Sequence, residues 1–211
     1  MNVAIINYGI NNLHSVQNAC SKLNLNSIIT DDYKTIMSSK IAILPGVGAF
    51  SEAMKSIKMK KLDKAIYDFI ESGKSFYGIC LGMQLLFDES EEFGSSKGLG
   101  LIKGNVVKFK SKTENKIIVP HVGWNKIIFE NQNYLNSVMK NTLNEDFMYF
   151  VHSYYVVPEL RDIELTSTKY DNTTYCSSII KENITAFQFH PEKSAISGIN
   201  IFKEIKKLMY S

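Results

Sequence analysis

The segment Gly78-Ile79-Cys80-Leu81-Gly82 places a thiol midway between two glycines. Phe76–Ile79 reads as a short apolar strand, and Leu81–Phe87 as a helix that begins behind it with no linker. That is the spacing of a nucleophile elbow with cysteine in place of serine. Glycines at these positions let strand and helix approach closely while Cys80 takes a strained, outward-pointing conformation. Unpaired N–H groups at the start of a helix favour an anion, so the turn itself would prepare a thiolate nucleophile. This feature alone fits many cysteine hydrolases. The other two cysteines lack such a setting. Cys20 falls on the apolar side of a helix and Cys176 in a strand, where thiols serve as inert packing.

A thiolate that attacks a carbonyl needs a base and an oxyanion site. Of the four histidines, His14 sits on a polar helix face, and His121 and His152 lie among aromatic residues and read as structural. His190 differs, because it ends the strand-like Phe187-Gln188-Phe189-His190 and is followed by Pro191-Glu192. Proline keeps the preceding residue extended, so His190 and Glu192 project to the same side. A carboxylate there fixes the imidazole tautomer and stabilises the imidazolium, the orienting role in a triad. The N–H of Leu81, directly after the thiol, is one oxyanion donor. A second could come from the strand-end turn Pro45-Gly46-Val47-Gly48. No Gly-Lys-Ser/Thr follows that turn, so it is not a phosphate loop. Metal-ligand spacings of the Cys-x-x-Cys or His-Glu-x-x-His kind are absent from the sequence, and no cofactor motif is found.

The elements that must hold these groups alternate in the N-terminal half. Val3–Ile6, Ser27–Thr30, Ile41–Leu44 and Phe76–Ile79 read as strands. Helical spacing joins Leu13, Val16, Cys20 and Leu23, and recurs through residues 51–72. Such alternation predicts a parallel sheet covered on both faces. After Gly94 the pattern turns strand-rich, with Leu99–Ile102, Asn105–Phe109, Trp124–Phe129, Phe147–Val157, Glu164–Thr168, Tyr175–Ile180 and Thr185–Phe189. These suit antiparallel pairing and the far edge of a mixed sheet. A last helix is expected over Ile199–Met209. Cys80 and His190 both fall at carboxyl ends of strands, where α/β sheets gather their functional groups.

With 211 residues, 45% hydrophobic and 21% charged, the composition is that of one globular domain, residues 1–211. It excludes disordered and fibrous classes. No apolar run approaches the ~20 residues of a membrane helix. A net charge of +3 gives no ground for nucleic-acid binding. The N-terminus runs almost at once into an apolar strand and has no export signal, so the expectation is a cytoplasmic protein with reduced thiols.

With Gly78–Gln84 and His190-Pro191-Glu192 in this order, the chain resembles the class I, or triad, glutamine amidotransferases. Further family-like stretches are Tyr8-Gly9 with Asn12-Leu13, Pro45–Phe50, Gly98–Ile102, Pro120–Asn125, Phe150–Tyr154 and Gln188–Ser194, so the resemblance covers nearly the whole length. It implies a three-layer, flavodoxin-like α/β fold with a mostly parallel central sheet and additional antiparallel strands in the C-terminal half. By the same resemblance Cys80 is the nucleophile, His190 the general base and acid, and Glu192 its orienter. Val47 and Gly48 would supply the second oxyanion donor after a peptide reorients, beside Leu81. Gln84, Glu92, Ser153 and Tyr154 would hold the α-amino and α-carboxylate groups of L-glutamine, with no cofactor or metal. More narrowly, the chain is similar to glutaminase subunits that form a heterodimer with a (β/α)8 cyclase of histidine biosynthesis and pass ammonia to it. The first loop departs from the family pattern: Asn7 stands where aspartate is usual and Asn11 where glycine is, and Val122 replaces a commoner methionine. These departures spare the triad and leave open a paralogue feeding a sugar-aminating synthase. An interaction module with a vestigial triad and a free-standing cysteine hydrolase are the readings from other classes.

Overall fold

The computed structural model describes residues 3–9, 12–110 and 117–208. The expected Asn11 turn and Met209, the expected end of the last helix, lie outside them. The first half alternates β1 (Val3–Ile6), α1 (Leu13–Lys22), β2 (Ser27–Thr30), α2 (Tyr33–Ser38), β3 (Ile41–Gly46), α3 (Phe50–Met59), α4 (Leu62–Glu71), β4 (Ser75–Cys80) and α5 (Leu81–Gln84). Strands then dominate: β5 (Phe87–Ser90), β6 (Ser96–Lys97), β7 (Ile102–Lys108), β8 (His121–Lys126), β9 (Ile128–Phe129), β10 (Phe147–His152), β11 (Tyr154–Pro158), β12 (Glu164–Tyr170), β13 (Thr173–Lys181) and β14 (Ile184–Phe187). Helix α6 (Ala195–Lys207) follows.

Among the described residues the central sheet has eight strands in the order β2-β1-β3-β4-β14-β13-β12-β9. Its first five strands are parallel, and β13, β12 and β9 extend it antiparallel. Successive side chains of a strand point to opposite faces, and β1 shows the result. Ala4 and Ile6 join an apolar cluster with Phe50, Ile57, Ile66 and Phe69 of α3 and α4. Val3 and Ile5 join another with Val16 and Cys20 of α1 and Ile201 and Phe202 of α6. The near-continuous apolar runs of the parallel strands are what two buried faces require. The fold is therefore a three-layer α/β sandwich, as expected. Among the described residues, no helix is long and apolar enough to cross a membrane.

Several local expectations change. The helix behind Cys80 ends at Gln84, because residues 98–102 strap across the chain there. Leu99 N–H donates to Leu85 O, and Leu101 and Ile102 N–H donate to Leu86 O, which turns the chain into β5. For the same reason only Ile102 of Leu99–Ile102 belongs to a strand. Phe147–Val157 breaks at Ser153, with β10 pairing to β8 and β11 to β7 in two separate small sheets. Helix α2 carried no apolar stripe in the sequence, since only Ile36 is buried. It is set by Asp32, whose carboxylate accepts the Thr35 N–H at 2.8 Å. Helix α6 begins at Ala195 rather than Ile199.

Candidate active site

Strand β4 delivers Cys80 at its carboxyl end, with φ 54° and ψ −110°. A side chain at positive φ is strained, and such strain persists only where the surroundings hold it. Here the holding contact is visible: a Cβ on Gly82 would sit 1.7 Å from the Leu44 carbonyl oxygen, so only glycine lets α5 pack this tightly on β3. In the β3–β4 register Gly46 lies opposite Cys80, so Val47 and Gly48 emerge beside the sulfur. Gly48 adopts φ 113° and faces open space, which leaves its peptide room to turn. The expected helix field is smaller than a full helix would give, because α5 is one turn long. The charged partner of Cys80 comes instead from the other end of the chain.

That partner is carried by β14, the parallel neighbour of β4. Beyond it His190 is pinned by its N–H to Tyr149 O (2.9 Å) and by Ser194 Oγ, which donates to its carbonyl (2.7 Å). His190 Nδ1 donates to Glu192 Oε1 at 2.8 Å, and both side chains are fully buried. This bond fixes the tautomer and leaves Nε2 for the sulfur side. Among the described residues neither Nε2 nor Glu192 Oε2 has a hydrogen-bond partner in good geometry. Burial works against a charged imidazole at His190, but the Cys80 sulfur and the Glu192 carboxylate outweigh it and raise the ring to about 10. Burial likewise opposes the Glu192 charge, and His190 and Asn12 overcome it, so the carboxyl is held below its ordinary range. Asn12 donates from Nδ2 to Glu192 Oε1 at 2.7 Å, from a loop position at φ 86°.

A cavity of about 250 Å³ opens at Cys80, a size suited to an amino acid rather than a larger ligand. Its walls include Val47, Gly48, Leu81, Gln84, Glu92, Ser153 and Tyr154, so the structure gathers every expected oxyanion and substrate residue in one place with the thiol. Gln84 spends both N–H donors internally, on Tyr154 O (2.9 Å) and Gln188 Oε1 (3.0 Å). Glu92 Oε2 accepts the Phe50 N–H at 2.6 Å, which ties the cavity wall to the start of α3. Two polar neighbours were not singled out in the sequence. Gln188 donates from Nε2 to Cys80 Sγ at 3.6 Å, and Asn12 reaches Glu192. The first had a signal, since Gln188 and His190 are two apart on an extended segment and share a side.

His121 and His152 are not bases. His152 Nδ1 donates to Tyr154 O (2.8 Å), and its Nε2 accepts from the Tyr175 hydroxyl (3.2 Å), which in turn accepts from His121 Nδ1 (3.2 Å). His121 stacks on Tyr170 with centroids 3.9 Å apart. Burial depresses His121 to about 4 and His152 to about 3. His14 is exposed, while burial raises Cys20 to about 11 and pushes Cys176 well up, as fits unreactive thiols. Among the described residues, no group of three or more His, Cys, Asp or Glu side chains could hold a metal ion.

The chain matches the family described as "Glutamine amidotransferase class-I" over residues 4–203. It is 40% identical over 208 residues to the imidazole glycerol phosphate synthase subunit HisH of Aquifex aeolicus (strain VF5), covering 98% of this chain and 97% of that one. The subunit of the same name from Geobacillus sp. (strain WCH70) is 42% identical over 209 residues, with 98% and 97% covered. Among solved structures, PurLQS from Thermotoga maritima aligns with a TM-score of 0.69 at 19% identity, over 98% of each chain. A glutamine amidotransferase from the same organism aligns with a TM-score of 0.65 at 14% identity, over 100% of this chain and 84% of that one. At those identities the structural likeness is one of fold.

Proposed function

The chain belongs to the class I glutamine amidotransferase family, and from that premise we propose that Cys80, His190 and Glu192 are the triad with which it hydrolyses L-glutamine for a synthase of histidine biosynthesis. The observation that carries the proposal is a strained thiol that lines an amino-acid-sized cavity and has the buried His190–Glu192 pair, itself outside the cavity lining, as its charged neighbour. The Cys80 thiolate attacks the side-chain amide carbon. The N–H of Leu81 and one from the Val47–Gly48 turn, once its peptide reorients, stabilise the oxyanion. His190 Nε2–H protonates the departing nitrogen, and the C–N bond breaks to give ammonia and a glutamyl thioester. His190 then takes a proton from water, which attacks the thioester and releases glutamate. Glu192 keeps the imidazolium oriented throughout. Gln84 presents only its oxygen to the cavity, and with Glu92 it suits an α-ammonium. Ser153 and Tyr154 face the same space for the α-carboxylate.

The ammonia is of use only if it stays unprotonated until it meets an acceptor, so a bound partner with a dry passage is the physical expectation. We propose a (β/α)8 cyclase subunit in a heterodimer, converting a phosphoribosyl-formimino precursor into imidazole glycerol phosphate and aminoimidazole carboxamide ribotide. The full-length similarity to HisH subunits supports this choice over a sugar-aminating synthase. The loop departure at Asn7 does not oppose it, because Asn7 Oδ1 accepts the Gly9 N–H at 3.0 Å, a task open equally to an aspartate. Exposed Val122 and Trp124 on β8, beside Pro120 of the cavity wall, offer an apolar face for that partner. Residues 1–211 are read as one amidotransferase domain. The test is Cys80→Ala in the assembled complex. Glutamine-dependent synthesis should vanish while ammonium-dependent synthesis by the partner persists. Loss of both would refute the division of roles.

A further inference from the structure

Besides the imidazole of His190, the sulfur of Cys80 has two polar neighbours among the described residues: the Val151 carbonyl at 3.9 Å and the side-chain amide of Gln188 at 3.6 Å. The carbonyl is an acceptor and favours the protonated thiol. The amide favours the anion only if its nitrogen, rather than its oxygen, faces the sulfur. Oxygen and nitrogen of a glutamine amide are told apart by their hydrogen-bond network, and here the network leaves one solution. Tyr154 O belongs to the backbone and cannot donate, so Gln84 must turn its NH2 toward it. The same NH2 reaches Gln188, which must therefore present Oε1. Gln188 is then obliged to aim its own NH2 at Cys80. Reversing Gln188 would set two donors against each other at Gln84, and reversing both would set two acceptors against each other at Tyr154. Tyr154 O is itself held by His152 Nδ1 at 2.8 Å, so the anchor is not free to move.

We propose that Gln188 is a further catalytic residue of this reaction: its amide donates to the Cys80 thiolate, with a polarity dictated through Gln84 by the Tyr154 carbonyl. The role is distinct from that of His190, which exchanges protons. Gln188 is completely buried and cannot titrate, so it favours the anion at any pH without competing for the proton. His190, Tyr8 and Tyr175 are titratable groups that sense Cys80, and none of them replaces the amide contact. The proposal rests on Cys80 being the nucleophile.

The experiment follows iodoacetamide alkylation of Cys80 from pH 5 to 9 in the intact chain, read by mass spectrometry of the Cys80 peptide. Gln188→Met removes the donor at nearly constant volume, and Gln188→Glu turns a carboxylate oxygen to the sulfur. Both profiles should move to higher pH, by about one unit for the loss of a hydrogen bond to a charged group. Profiles that coincide with the unsubstituted chain would overturn the proposal. If neither variant folds, Gln84→Met carries the test: it frees the Gln188 amide to reverse and should shift the profile in the same direction by a smaller amount, and no shift there is equally fatal. A glutamine-like chloroketone separates the two readings. Failure to label Cys80 in the unsubstituted chain would sink the nucleophile assignment itself. Labelling with unmoved alkylation profiles would sink only the role of Gln188.

Discussion

Acidifying the protein from pH 7 to pH 5 should destabilise it through His152, and the size of the effect follows from the site. His152 is buried with its native value near 3, against 6.5 ordinarily. Unfolding exposes it to protonation, so the stability it confers is full above 6.5 and is lost as the pH falls toward the native value. At pH 5 the unfolded histidine is almost fully protonated and the native one is not. The loss between pH 7 and 5 is then about 2 kcal/mol, whatever the native value, provided it lies below 5. His121 acts in the same direction, and solvent screening of its less enclosed ring reduces its share to about 1 kcal/mol. His190 opposes them. Its native value near 10 means its stabilisation is complete below 6.5 and fades only as the pH rises toward 10. Going from pH 7 to 5 it returns about 1 kcal/mol. The net expectation is a loss of about 2 kcal/mol, a shift of about 1 M in the urea midpoint for a domain of this size. Urea unfolding at the two pH values measures it. His152→Asn keeps an amide donor for Tyr154 O but cannot titrate, and should remove about 2 kcal/mol of the pH dependence. If the midpoint is flat between pH 7 and 5, or if His152→Asn retains the whole dependence, the neutral structural assignment of these histidines is wrong.

Two further substitutions probe the triad and the elbow. Glu192→Gln keeps a hydrogen-bond acceptor against His190 Nδ1 but removes the charge that stabilises the imidazolium, so kcat for glutamine hydrolysis in the complex should fall by about a hundredfold or more. A fall below about threefold would show that the carboxylate is dispensable. Gly82→Ala puts a methyl group 1.7 Å from the Leu44 carbonyl and must push α5 off β3. It should cost about 3 kcal/mol or more in urea unfolding and lower Cys80 alkylation, and an unperturbed midpoint would contradict the close packing described for the elbow.

The parts of this architecture that could be read from the sequence are those set by local rules. The parallel core was legible because β1, β3 and β4 are short apolar runs, and the elbow because Gly78 and Gly82 flank Cys80 at a spacing few other purposes demand. The His190–Glu192 pair was legible because two residues on an extended segment share a side. What escaped was set by contacts between distant residues. Helix α2 depends on the Asp32 cap and buries only Ile36, so no periodicity marked it. The early end of α5 depends on residues 98–102 wrapping over Leu85 and Leu86. The break at Ser153 is invisible in a run of aromatic and β-branched residues that would make one good strand. It matters most, because it sends β10 and β11 to different sheets and leaves Ser153 and Tyr154 lining the cavity beside the thiol.

The same long-range contacts explain why the proposed triad is satisfied on one side only. Glu192 Oε1 takes two donors, from His190 and from Asn12, which lies 180 positions earlier in the chain, while Oε2 takes none among the described residues. Both donors therefore pull on a single oxygen, and the carboxylate cannot rotate without losing two bonds at once in a fully buried setting, where each is costly to break. The imidazole inherits that rigidity through Nδ1. Its Nε2, buried and without a well-formed hydrogen bond among the described residues, stands ready for the proton exchange with the sulfur and the amide nitrogen that the proposed mechanism assigns to it. A site that had exhausted its hydrogen bonds internally would have to break one before each proton transfer. Here the unmet capacity lies on the nitrogen that, in the proposed mechanism, receives and delivers the proton.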